Sequence, residues 1–129
     1  MKGACTVLRG LDAGNRVRLP DRHRHRGHAL HLPLRPGTNV ALLNALAHVI
    51  ISEHLTDEDF IQQRCESLPF QRWRDFIADA RHAPEAVEAI TGVAAEQVRQ
   101  AARLYANAPN AAIYYGLGVT EHSQGSTAV

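Results

Sequence analysis

A chain of 129 residues has the mass for one modest core. Hydrophobic residues make up 45% and charged residues 21%, which excludes a disordered polar tail. The net charge of +1 hides a division: residues 1–38 hold eight Lys or Arg against two Asp, a net +6, and the other 91 hold six basic against eleven acidic groups, a net −5.

Residues 1–28 read as a basic, loosely ordered arm with the alternation Arg22-His23-Arg24-His25-Arg26 and neither helical nor strand periodicity. The arm has no apolar run of signal-peptide type, so a cytoplasmic location is expected. Residues 29–34, from Ala29 through Leu30-His31-Leu32 to Leu34, suit a short strand. Arg35-Pro36-Gly37-Thr38-Asn39 then suits a turn, with Thr38 or Asn39 able to cap a helix. That helix is predicted over Val40–His54, with Leu42, Leu43, Leu46, Val49 and Ile50 forming one apolar stripe. The run Val40–Ser52 is interrupted by Asn44 and His48 and is too short and polar to span a bilayer.

Thr56 is the expected cap of a second helix ending near Glu66, and Asp57, Glu58 and Asp59 suit its positive end. A third is predicted over Pro69–Ala80, with Phe70, Trp73, Phe76 and Ile77 on one face. Pro84 opens a fourth that Gly92 closes, and Ala94–Asn107 forms a fifth with Val98, Ala101, Ala102 and Tyr105 inward. Residues 111–116, Ala111-Ala112-Ile113-Tyr114-Tyr115-Gly116, read as a buried strand feeding the loop Gly116-Leu117-Gly118. The fold class expected is therefore α/β, a partial dinucleotide-binding-like domain over 29–129 that is mostly helical, with short strands near 29–34 and 111–116.

Few residues here can carry chemistry. Cys5 and Cys65 stand 60 positions apart, so cysteine spacing provides neither a zinc site nor an iron–sulfur cluster, and Cys65 reads as a small buried hydrophobe. His23, His25, His28 and His31 lack a carboxylate or cysteine framework for a metal. His48 is expected to be a satisfied, partly buried histidine. Glu121 and His122 are adjacent but have no third group to orient them, so no catalytic residue and no metal ligand is assigned. Glycines at 116, 118 and 125 would let main-chain amides approach a phosphate, although their spacing is not the dinucleotide fingerprint.

Three segments in order resemble the molybdopterin oxidoreductases, in particular the catalytic subunits of formate dehydrogenases. Leu34-Arg35-Pro36-Gly37-Thr38-Asn39-Val40-Ala41-Leu42-Leu43-Asn44-Ala45-Leu46 resembles a family segment that follows an inner strand. Tyr115-Gly116-Leu117-Gly118-Val119-Thr120-Glu121-His122-Ser123-Gln124-Gly125 resembles a second, often written Gly-Met-Gly-x-Thr-Gln-x-x-x-Gly. Between them, Thr91-Gly92-Val93 and Arg99-Gln100-Ala101-Ala102-Arg103-Leu104-Tyr105 match the family's Thr-Gly-Val and Ala-Ala-Arg-x-Tyr patterns. The resemblance covers roughly residues 29–129.

It implies a domain that helps hold bis-molybdopterin guanine dinucleotide on molybdenum or tungsten. By carry-over, Gly37, Thr38 and Asn39 contact a guanine nucleotide end, with Asn39 standing where many members have Asp. Leu117, Gly118 and Glu121 contact the pterin dinucleotide, Leu117 replacing a frequent Met and Glu121 a frequent Gln. A carboxylate cannot donate hydrogen bonds as an amide can. The family's cluster cysteines, its metal-ligating Cys or selenocysteine and its substrate arginine have no counterpart in these residues. The expectation is thus an incomplete piece of a catalytic subunit, inactive alone, whose partners are the rest of that subunit and iron–sulfur electron-transfer subunits. The Arg/His alternation also suits a frameshifted start. The alternative is a small helical binding module whose basic arm engages nucleic acid or an acidic partner; few aromatics and an acidic remainder weigh against nucleic acid.

Overall fold

The computed structural model describes residues 16–17, 30–117 and 121. The chain divides into two compact units, Leu34–Asn107 and a second formed by Met1–Pro33 with Ala108–Val129.

Leu34–Asn107 is helical. α1 (Asn39–Ser52) packs against α3 (Ser67–Ala78), α4 (Pro84–Thr91) and α5 (Ala95–Ala106). α1 buries Leu42, Ala45 and Val49, positions three and four apart that share one helix face. Leu43, expected in the stripe, lies outward, and the small Ala45 takes the innermost place. A small residue there lets neighbouring helices approach closely, which an expectation built on bulky residues alone overlooks. Ile77 from α3, Val87 from α4, Val93, and Val98 with Ala102 from α5 complete the core. Burial of these side chains, at about 25 cal/mol per Å² of apolar area, is the main force holding the helices together.

Several helix ends have an identifiable cause. Pro84 occupies the first turn of α4, where its missing N–H costs nothing. Gly92 ends that helix in the left-handed region at φ 76°, donating its N–H to Glu88 O at 2.8 Å. The Glu88 carboxylate in turn accepts from Ala95 N–H at 2.9 Å, satisfying one free donor at the start of α5. Asp57, not Thr56, caps α2 (Glu58–Arg64), accepting from Phe60 N–H at 3.0 Å. The Thr56 hydroxyl donates instead to Glu58 Oε1 at 2.7 Å, so the cap falls one residue later than the capping-box pattern predicts. α3 begins at Ser67 and accommodates Pro69 in its first turn, where proline removes no intrahelical bond.

Ion pairs tie the helices at the surface. Arg103 on α5 grips both oxygens of Glu53, just past α1, at 2.8 and 2.7 Å. Arg99 pairs with Glu85 across α5 and α4, and Arg74 with Glu58 across α3 and α2 at 2.8 Å. On α3 only Ile77 is buried; Trp73 and Phe76 are exposed, so the expected four-residue inward face is narrower. Phe70 and Trp73 rings lie 5.7 Å apart, and the Arg74 guanidinium lies 5.0 Å from the Phe70 centroid. Cys65, expected buried, is exposed because it follows α2, which buries no residue.

In the other unit, β1 (Arg16–Val17) pairs antiparallel with β2 (Leu30–His31), Arg16 opposite His31 and Val17 opposite Leu30. The strand expected at 29–34 is therefore shorter, and the segment read as lacking strand character contributes its partner. Leu32 and Ala111 are buried. The strand expected at 111–116 does not form: the run has no strand character, and Ile113, Tyr114 and Tyr115 are about half exposed. Residues with β propensity form a strand only when a second strand completes the ladder. The rest of the basic arm, with His23, His25 and His28, lies outside the described residues. No described helix is long and apolar enough to cross a membrane.

Candidate functional site

The turn before α1 is built by three adjacent residues. Pro36 presets its φ and Gly37 adopts φ 82°, the pairing a type II turn requires, and Thr38 N–H closes it by donating to Arg35 O at 3.2 Å. A side chain at Gly37 would be strained at that φ, yet its Cβ would meet nothing within 4 Å. The space beside Gly37 is therefore open.

Thr38 stands at the cap position of α1, but its hydroxyl turns backward and donates to Arg35 O at 2.6 Å. It does not cap the helix as the sequence suggests. The first main-chain N–H groups of α1, on Asn39, Val40 and Ala41, thus have neither an intrahelical acceptor nor a side-chain cap, and the first turn has no acidic residue. Such a helix end concentrates donors and a positive dipole, which suits the phosphate of a nucleotide. Asn39 is half-buried and offers both an amide donor and a carbonyl acceptor, as a purine edge requires. The donor set fits the nucleotide end of a pterin dinucleotide.

Arg35 anchors this turn from behind. Its main-chain N–H donates to Thr91 O at 2.9 Å, and its guanidinium donates to Ala89 O and Ile90 O at the end of α4. Gly92 makes room for it: a Cβ there would lie 3.4 Å from Arg35 Nε and 3.6 Å from Cγ. Sequence reasoning missed Arg35. The only local signal was a long cationic side chain directly before Pro-Gly, and its partners lie more than fifty residues away.

Of the second predicted group, Leu117 is exposed, and its carbonyl accepts from Glu121 N–H at 2.9 Å. Glu121 is exposed, and Gly118 lies outside the described residues. The structure thus brings together Gly37, Thr38 and Asn39, and separately Leu117 with Glu121.

The described titratable groups form no catalytic set. His48 is partly buried, as expected, with Nδ1 2.8 Å from Ile77 O. Burial, with Arg81 adding repulsion, holds His82 below the usual histidine range. Its Nε2 is buried without a hydrogen-bond partner, and its ring lies 4.7 Å from Phe76. Among the described residues, no three His, Cys, Asp or Glu side chains gather to hold a metal ion.

Comparison with known proteins shows the family. The molybdopterin oxidoreductase family model matches residues 15–129, beginning inside the basic segment. Formate dehydrogenase H of Escherichia coli is 49% identical over 96 residues, 74% of this chain and 13% of that protein. The F420-dependent formate dehydrogenase alpha subunit of Methanocaldococcus jannaschii is 36% identical over 126 residues, 95% of this chain and 18% of that protein. Among solved structures, acetylene hydratase from Pelobacter acetylenicus matches with a TM-score of 0.61 and 31% identity, over 68% of this chain and 12% of that chain. The chain therefore spans less than a fifth of the length of these relatives. A family model covering most of the chain and relatives this close lead to one conclusion: the chain belongs to the molybdopterin oxidoreductase family.

Proposed function

We propose that this chain is part of a formate dehydrogenase-like catalytic subunit and contributes contacts to a molybdopterin guanine dinucleotide, without carrying the reaction centre. One observation supports the cofactor role above others: the turn at Gly37–Asn39 precedes a helix whose first N–H groups have no acceptor of their own. The bound cofactor would supply a redox-active metal, molybdenum or tungsten. The chain's residues bind and orient. Main-chain N–H groups of α1 would face phosphate, Asn39 would read the guanine edge, and Leu117, Gly118 and Glu121 would support the pterin side.

The helices would then form one layer of a dinucleotide-binding-like α/β domain, with iron–sulfur subunits and the rest of the catalytic subunit as partners. Formate as substrate rests on the two formate dehydrogenase relatives. A neighbour named for acetylene hydration shares the fold, so this stretch does not itself select the substrate.

A chimera tests the reading. The matched stretch of Escherichia coli formate dehydrogenase H is replaced by that of this chain, and formate-dependent dye reduction is assayed with molybdenum and pterin content. Retained cofactor and turnover are expected. A folded chimera that incorporates no pterin would refute the reading.

A further inference from the structure

We infer that Arg35 is the positioning residue of the nucleotide-binding turn, an inference that rests on the reading of Gly37, Thr38 and Asn39 given under Proposed function. The last turn of α4 leaves Ala89 O, Ile90 O and Thr91 O without intrahelical donors, since Glu88 O takes the N–H of Gly92. Arg35 supplies all three. Its main-chain N–H donates to Thr91 O at 2.9 Å, and Nη1 donates to Ala89 O and, at 3.4 Å, to Ile90 O. A guanidinium beside these carbonyls also lies at the negative end of the helix dipole.

The carbonyl of the same residue accepts both Thr38 N–H and Thr38 Oγ1, at 3.2 and 2.6 Å. One residue therefore fixes the end of α4 on one side and the start of α1 on the other. Gly92 is part of the device, because a Cβ there would press on the Arg35 stem at 3.4 Å. Thr91 is fully buried, whereas Ala89 and Ile90 lie at the surface. The turn thus inherits its position from the core, and the N–H groups of Asn39, Val40 and Ala41 are held in one direction before any ligand arrives. Preorganisation of this kind raises affinity by removing the cost of ordering a loop on binding.

The test is a titration of the 129-residue chain with GDP as the probe, followed at the main-chain amides of Gly37, Asn39, Val40 and Ala41 by NMR. These amides are expected to respond in the unaltered chain. Arg35→Met should weaken GDP binding roughly tenfold, the loss typical of removing a support behind a ligating group. Arg35→Gln keeps one amide donor and carries the same comparison if the Met variant does not fold. Arg103→Met, which breaks the Glu53 pair away from the turn, should lower thermal stability and leave GDP affinity unchanged. If Arg35→Met or Arg35→Gln binds GDP as tightly as the unaltered chain, the positioning role is wrong while nucleotide binding stands. If Arg103→Met weakens binding equally, the loss follows stability and the role is likewise overturned. If the unaltered chain's amides do not respond to GDP, the nucleotide reading fails and the inference falls with it.

Discussion

Arg35 and Thr91 stand 56 positions apart, and the main-chain N–H of the first donates to the carbonyl of the second at 2.9 Å. Thr91 is fully buried and all its polar groups are engaged. Its hydroxyl donates to Val87 O at 2.9 Å and accepts from Val93 N–H at 3.2 Å. This threonine connects the core to the turn that precedes α1.

Thr91→Val keeps the shape of the side chain and removes its oxygen. Val93 N–H would then be buried without an acceptor, at a cost of about 1–3 kcal/mol. Urea denaturation at neutral pH should show a lower midpoint with an unchanged slope. A midpoint equal to that of the unaltered chain would mean that Val93 finds another acceptor.

Acid should loosen the helices. Hydrogen bonding and attraction from Arg103 hold Glu53 below its ordinary value of 4.5, and Thr56 with Arg74 does the same for Glu58. Glu85 is lowered by its own main-chain N–H and by Arg99, and Asp79 by the N–H of Arg81. A carboxylate with a lowered folded-state value contributes stability that is complete above its ordinary value and is lost as pH falls through the folded value. The melting temperature should therefore begin to fall below about pH 6.5, where His82 gains a proton more readily in the unfolded chain, and fall more steeply below about 4.5, near the ordinary glutamate range. The decline should be smaller in Arg103→Met, measured by circular dichroism in low salt, because that variant has already lost the Glu53 pair.

Cys65 is exposed and should react with a thiol reagent in the folded chain. With Cys5→Ser as background, one equivalent of an aromatic disulfide reagent should be consumed without denaturant. Reaction only after unfolding would place Cys65 in the core.

Much of the helical layout was legible because its signals are local. Pro84 at the start and Gly92 after the end of α4 bracket a helix by backbone chemistry alone, and α5 follows from the spacing of Val98 and Ala102. The turn at Pro36-Gly37 was legible for the same reason. What escaped depends on partners distant in sequence. Whether residues 111–116 form a strand depends on a neighbouring ladder, and whether Leu43 or Ala45 lies innermost depends on how closely other helices approach. The exposure of Cys65 follows from its place after α2, which buries none of its own residues. In the candidate site, Gly37, Thr38 and Asn39 were found through the family resemblance, whereas the backward bond of Thr38 to Arg35 and the bridge from Arg35 to α4 required coordinates.

The most direct measurement is the guanine nucleotide released on acid treatment of the formate dehydrogenase H chimera, with and without Gly37→Val. A Cβ at Gly37 meets nothing within 4 Å in this chain, although the φ of 82° is strained, so both proteins are compared at equal folded concentration. If the turn lies against the nucleotide, the valine occupies ligand space, and bound nucleotide should fall by roughly tenfold or more, as expected when a group is forced into a well-packed interface. Equal nucleotide content in the two folded proteins would contradict the assignment of this turn to the cofactor.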